Sequence, residues 1–201
     1  GQWSSTTAGT PQGAVISPLL ANVYLHYVFD LWVQHWRSRP GRGEVIVVRY
    51  VDDFVLGFQH REEADRFRQD LQDRLARFAL VLHPDKTRLI AFGRFAGEHR
   101  RQRGEGKPET FEFLGFVHCC GHKQGSSGFM LKRRSAKKRL QARLHDLRRK
   151  LMEVRHTPLP AQGAWLGSVV RGYYNYHAVP GNLAALEAFR TQAARSWLHA
   201  L

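Results

Sequence analysis

Arg49-Tyr50-Val51-Asp52-Asp53-Phe54 sets two neighbouring carboxylates between two apolar, β-branched segments, Glu44 to Tyr50 and Phe54 to Phe58. Strands of this kind need a turn between them, and a hairpin tip is where adjacent acids project into solvent together. Side chains alternate faces along a strand, so Asp52 and Asp53 reach one place only if the backbone turns there. Like charges held that close repel, and a bound Mg²⁺ relieves the repulsion. In a basic chain such a pair suits two-metal phosphoryl or nucleotidyl transfer, where ions about 3.5 to 4 Å apart stabilise the attacking and leaving oxygens. Taken alone, Asp-Asp reads as ordinary turn chemistry, because Asp favours turns.

The charge of the chain narrows the partner. Thirty-one basic against 17 acidic residues give a formal charge of +14 over 201 residues, which points to a polyanion and first to nucleic acid. A membrane is the rival, but no apolar run reaches the roughly 18 residues of a spanning helix and no signal-peptide pattern opens the chain. Cys119 and Cys120 are adjacent and cannot staple distant segments, which suits a reducing, cytoplasmic setting. A hydrophobic content of 43% is enough for a real core, in one large domain or two small ones. The chain opens at Gly1 and runs almost at once into the turn-rich Gly9-Thr10-Pro11-Gln12-Gly13, which reads as a fragment of a longer protein.

Positioning the acids falls to the surrounding elements. Ser17-Pro18 caps a helix expected to Trp36, with Leu20, Val23, Tyr24, Tyr27, Val28 and Leu31 as its buried stripe. After the acidic hairpin, Ala64, Phe67, Leu71, Leu75 and Phe78 mark an amphipathic helix over His60 to Arg77. His83-Pro84-Asp85-Lys86-Thr87 turns the chain, and Leu89 to Phe92 reads as a short strand. Gly93 to Pro108 is expected to be an exposed loop, and Phe111 to Cys119 with Phe129 to Leu131 a second hairpin. From Lys132 to Arg155 eleven Lys or Arg face two acids, with Leu140, Leu144, Leu147 and Leu151 at helical spacing, so a basic amphipathic helix is predicted. Pro158 and Pro160 end it. Two further helices follow, one around Trp165 to Tyr173 and one over Leu183 to Leu201. The fold class is therefore α+β, a mixed part preceding an all-helical part with a boundary near Leu131 to Arg134.

Five ordered segments carry a family resemblance. Gly9-Thr10-Pro11-Gln12-Gly13 leading into Ser17-Pro18-Leu19-Leu20-Ala21-Asn22, taken with Tyr50-Val51-Asp52-Asp53, resembles the reverse transcriptases of bacterial group II introns. Leu82 to Thr87 is similar to that family's lysine motif, Phe113-Leu114-Gly115-Phe116 to its primer-grip hairpin, and Arg171-Gly172-Tyr173-Tyr174-Asn175-Tyr176 to the intron maturase-specific domain. The resemblance implies a partial palm over residues 1–131, an antiparallel sheet with helices on one face, then an all-helical thumb and maturase domain over 132–201.

It also implies roles. Asp52 would be the principal Mg²⁺ ligand with Asp53 beside it, and Tyr50 would pack near the primer end. Gln12 and Gly13 would line the pocket for the incoming dNTP and its template base, glycine permitting close backbone approach. Lys86 resembles the lysine near the leaving pyrophosphate, where a cation neutralises developing charge and can donate a proton. Phe113, Leu114 and Gly115 would hold the DNA primer. Arg133, Arg134, Lys137 and Lys138 would contact phosphates of an RNA template or of the parent group II intron RNA. Arg171, Tyr174 and Asn175 mix charge, ring and amide in a way that suits RNA.

One departure from the family pattern sets a limit. Members supply another metal-binding aspartate from a strand upstream of the Pro-Gln-Gly segment, together with template-covering fingers, and this chain opens at that segment. Asp30 lies within the first helix and is no substitute. This piece alone is therefore not expected to polymerise, and a non-catalytic RNA-binding maturase remnant is the alternative. His118-Cys119-Cys120-Gly121-His122 invites a zinc reading, but neighbours on a strand point to opposite faces. A palm-like nucleotide cyclase would share the acidic hairpin and leave the basic helix unexplained.

Overall fold

The computed structural model describes residues 15–39, 43–123 and 125–201. The chain forms two compact units, residues 1–89 and 90–201, each with its own packing. Both sheets are antiparallel and the architecture is mixed α and β. The first unit begins with a helix in three segments: α1 (Ser17–Leu25), a π segment (His26–Asp30) and α2 (Leu31–Arg37). β1 (Val45–Tyr50) pairs with β2 (Asp53–Phe58), and α3 (Arg61–Ala76) follows. Alternation along the hairpin decides its packing. Val45, Val47, Phe54, Leu56 and Phe58 join a core with Val28, Phe29, Val33, Trp36, Phe67, Leu71 and Leu75, whereas Ile46, Val48 and Tyr50 on the other face are exposed. Helices thus cover one face of this hairpin.

The buried stripe of α3 is the one its spacing predicts, through Ala64, Phe67, Leu71 and Leu75. The first helix corrects its prediction. Leu20, Val23, Tyr24, Tyr27 and Leu31 are 45–65% exposed, and the buried residues are Val28, Phe29, Val33 and Trp36. Periodicity identifies an apolar face but not what covers it, and the hairpin and α3 reach only the other side. The π segment inserts a residue into the helical repeat and so shifts the faces of α1 and α2. Its loosened carbonyls are answered from α3: Arg74 Nε donates to Val28 O (3.1 Å) and Nη2 to Tyr27 O (3.3 Å). Trp36, almost fully buried, satisfies its indole N–H on Asp70 Oδ2 at 2.7 Å.

The second unit contains α4 (Ala96–Gln102), the sheet β3 (Phe111–Phe113), β4 (Phe116–His122) and β5 (Phe129–Ser135), and the helices α5 (Lys137–Val154), α6 (Leu159–His177) and α7 (Leu183–Ala200). Leu147, Leu151, Leu166, Tyr173, Leu186, Phe189 and Ala193 make the core of the three-helix part. Three expectations change here. Among the described residues Leu89 to Phe92 pairs with no strand, although the Phe92 ring packs edge-on against Phe111 at 5.1 Å. The expected loop from Gly93 to Pro108 contains α4, a short helix rich in polar residues that leaves almost no apolar period to read. The basic segment divides, because β5 continues to Ser135 in register with β4, so Arg133 and Arg134 lie on a strand and only Lys137 onward is helical. Pro160 stands in the first turn of α6, where its missing N–H costs nothing.

Gln162 joins all three helices. Its Nε2 donates to Arg155 O (3.2 Å) and Thr157 O (2.8 Å) at the turn after α5, and its Oε1 accepts from Trp197 Nε1 of α7 (3.0 Å), in a residue only 2% exposed. Gln162→Leu keeps roughly the volume and removes all three hydrogen bonds of this buried side chain, so it should destabilise this unit by about 2–4 kcal/mol. Chemical denaturation followed by tryptophan fluorescence measures the loss.

Candidate active site and nucleic-acid interface

The pairing of Tyr50 with Asp53 leaves Val51-Asp52 as a two-residue hairpin loop. Val51 has φ +57°, and Asp52 does not share the left-handed region, the pattern of a type II′ turn. Glycine is the usual residue at that first position; a β-branched side chain there carries strain of roughly 1–3 kcal/mol. Such a conformation persists only where its surroundings enforce it.

Arg49 does the enforcing. Its Nη1 donates to Val51 O at 2.7 Å and to Asn22 Oδ1 of α1 at 2.8 Å. Its Nε and Nη2 grip the two oxygens of Asp30, in the π segment, at 2.8 and 2.6 Å. The side chain of Arg49 is 13% exposed and that of Asp30 33% exposed, so the fork is partly desolvated and its charge-assisted bonds are strong. The hydrogen bond from Arg49 holds the Asp30 carboxyl below the usual carboxylate range, against a smaller opposing effect of burial. Bonding to Asp30 raises Arg49 in turn. The helix thereby fixes the shape of the tip through Arg49 and the Val51 carbonyl.

Asp52 and Asp53 are exposed at that tip, and Tyr50 beside them is 61% exposed. Their oxygens suit Mg²⁺ in kind, since this ion is held by one or two carboxylates together with water and phosphate oxygens. Among the described residues no third His, Cys, Asp or Glu completes a metal-binding cluster with them. Lys86 is exposed in a turn closed by Lys86 N–H and Thr87 N–H on His83 O, and among the described residues no ion pair joins it to either acid. Gln12 and Gly13 lie outside the described residues.

A second two-residue turn stands in the other unit. Phe113 pairs with Phe116, leaving Leu114-Gly115, and both have positive φ, +50° and +78°, as a type I′ turn requires. Phe113 is half-buried and Gly115 buried. Leu114, Gly115, Arg139, Arg143 and Tyr176 line part of a cavity of about 360 Å³. Lys137 and Lys138 are exposed in the first turn of α5, which has neither a side-chain cap nor an acid. Cations at this positive helix end are unfavourable by themselves and suit an anion arriving from outside. Arg134 is exposed and Arg133 half-buried on β5.

The Arg171 to Tyr176 segment divides by face. Tyr173 is buried, stacked on Phe189 with centroids 3.8 Å apart, and the half-buried Tyr174 donates its hydroxyl to Leu186 O at 3.3 Å. Arg171 and Asn175, one helical turn apart, are exposed. Cys119 Sγ bonds Lys132 O while Cys120 Sγ pairs with the backbone of Gly93, so the adjacent thiols serve different partners. The residues that sequence reasoning missed are Arg49, Asp30 and Asn22. Only the proximity of Arg49 to the acids hinted at its role, since Asp30 lies 19 residues away.

Asp30→Asn should destabilise the first unit by about 1–3 kcal/mol at neutral pH. Because the folded carboxyl titrates below its unfolded value near 4, its stabilisation is complete above that value and is lost as pH falls through the lowered folded value. Thermal melts between about pH 2 and 7 should therefore show a shallower acid limb for the variant.

A sequence profile described as Reverse transcriptase (RNA-dependent DNA polymerase) matches residues 1–118, a stretch containing both two-residue turns. The Group II intron-encoded protein LtrA of Lactococcus lactis subsp. cremoris is 47% identical over 45 residues, 20% of this chain and 8% of that protein. The protein of the same name from strain MG1363 matches to the same extent. This chain thus matches a small part of the length of those relatives. The profile spans more than half of the 201 residues, and the chain belongs to the reverse transcriptase (RNA-dependent DNA polymerase) family.

Proposed function

We propose that this chain is the palm-to-maturase portion of a group II intron-encoded reverse transcriptase, with residues 1–131 contributing palm motifs and 132–201 the thumb and maturase segment. The observation that carries the reading is the strained Tyr50-Val51-Asp52-Asp53 tip held by Arg49 inside the family-matched stretch. In the full protein the reaction is RNA-templated DNA synthesis from dNTPs, accompanied by binding of the parent intron RNA to help it fold and splice. A cytoplasmic, nucleic-acid-associated protein fits this work, and among the described residues no helix is long and apolar enough to cross a membrane.

Asp52 and Asp53 would hold Mg²⁺, which when bound supplies charge neutralisation and alignment of phosphate oxygens. The chain's own residues do the rest. Arg49 keeps the acids on a fixed tip, and the Tyr50 ring offers the primer end an apolar surface. Lys86 supplies positive charge for the departing pyrophosphate, and Gln12 and Gly13 border the nucleotide. Leu114 and Gly115, backed by Phe113, receive the primer backbone. Arg133, Arg134, Lys137 and Lys138 neutralise nucleic-acid phosphates, and Arg171 and Asn175, supported by Tyr174, present an RNA-binding edge on α6.

Two measurements test the reading. Binding of group II intron RNA should fall about 100-fold or more between roughly 50 and 200 mM salt. Lys137→Glu with Lys138→Glu should weaken it about tenfold and flatten the salt slope, while Asp52→Ala leaves it unchanged. Affinity independent of salt would remove the phosphate-contact assignment. On poly(rA)/oligo(dT) the 201-residue chain should bind but not extend, since no third carboxylate stands with Asp52 and Asp53 among the described residues. Extension abolished by Asp52→Ala would instead place polymerase activity in these residues, and failure to bind either nucleic acid would reject the function altogether.

A further inference from the structure

Leu114 occupies a position that type I′ turns ordinarily give to Asn, Asp or Gly, because both central residues need positive φ. The cost of a leucine there is met from outside the hairpin. Gly115 O accepts from Ala136 N–H at 3.0 Å, just before α5 begins. Leu114 O accepts from the hydroxyl of Tyr176, 62 residues away on α6, at 2.9 Å. Both carbonyls of the turn are therefore drawn toward the helical part. Leu114, half-buried while Gly115 is buried, keeps an N–H outside the hairpin ladder, the group of this turn that a phosphodiester oxygen can accept from.

Tyr176 is itself firmly seated. Its ring stacks on Phe116 at 5.6 Å, and the adjacent His177 packs on Phe116 at 5.1 Å and on Tyr173 at 4.1 Å. His177 Nδ1 meets Ser135 Oγ at 3.0 Å; that oxygen also receives Tyr173 OH (3.3 Å) and Asn182 Nδ2 (2.9 Å). Asn182, 2% exposed, also accepts Ser135 N–H at 2.8 Å and donates to His177 O at 2.9 Å. Chain segments from β5, α6 and α7 thus converge on one buried polar knot, and Tyr176 extends from it to the turn.

We propose that Tyr176 is a positioning residue: its hydroxyl fixes the left-handed Leu114-Gly115 turn in the shape that receives a primer backbone. The proposal rests on reading that turn as the primer-holding one. Tyr176, although 55% exposed within an RNA-like motif, then acts through the turn rather than as an RNA contact.

Tyr176→Phe removes the hydroxyl and keeps the ring on Phe116. Ser168→Ala is the control, removing a hydroxyl bond on α6, to Trp165 O at 2.7 Å, that does not touch the turn. In the 201-residue chain, amide exchange over Leu114 to Phe116 should accelerate in Tyr176→Phe and not in Ser168→Ala. A fluorescent RNA/DNA hybrid with a recessed DNA 3′ end should bind the wild type more tightly than the blunt hybrid, and Tyr176→Phe should lose about fivefold on the recessed hybrid alone. Equal loss in both variants, or none in Tyr176→Phe, overturns the positioning role while leaving the primer-holding turn intact. Absence of any recessed-end preference in the wild type overturns the turn assignment, and the proposal with it.

Discussion

The guanidinium of Arg49 ties the tip of the first hairpin to the first helix through three partners: the Asp30 carboxylate, the Asn22 amide oxygen and the Val51 carbonyl. A valine with φ +57° relaxes if its carbonyl is released, and with it goes the direction in which Asp52 and Asp53 leave the hairpin. Arginine is suited to this work because its planar fork meets a carboxylate with two bonds and still has a donor for a third direction; lysine offers a point charge. The grip is strong because the group is only 13% exposed, and its desolvation is offset by four hydrogen bonds from the one guanidinium.

The second unit solves a similar problem with neutral groups. Leu114, also non-glycine and also left-handed, has its carbonyl held by the Tyr176 hydroxyl, with the polar knot of Ser135, His177 and Asn182 behind it. Burial keeps His177 below the ordinary histidine range, which preserves the neutral ring whose Nδ1 meets Ser135. Both hairpins therefore place a strained residue at their tip and anchor its carbonyl by a side chain fixed to helices of the same unit. Strain kept in this way suits a surface that must present fixed groups to a polymer whose own backbone is mobile.

Surface chemistry differs between the units in a related way. The first leaves an apolar helix face, Leu20, Val23, Tyr24, Tyr27 and Leu31, uncovered among the described residues. The second concentrates cation at the start of α5, where no acid offsets the helix dipole. Residues 90–201 as a whole hold 20 Lys or Arg against 7 Asp or Glu and so carry nearly all of the +14 charge, which is why nucleic acid is the partner its chemistry favours.

By itself the sequence determined most of the local elements and singled out Asp52 and Asp53 as candidate reacting groups. Alternation on either side of Asp52-Asp53 specified a hairpin, and the spacing of Phe67, Leu71 and Leu75 or of Leu147 and Leu151 specified helices with one buried face. Ordered motifs specified the family. Tertiary structure decided which face of the first helix is covered, where β5 ends and the basic helix starts, and which polar side chains brace the turns. The physical reason is distance along the chain. Hydrophobic period is a local property, whereas the bond from Arg49 to Asp30 spans 19 residues, that from Asn182 to Ser135 spans 47, and that from Tyr176 to Leu114 spans 62. No window of sequence short enough to show periodicity contains both ends of such a bond.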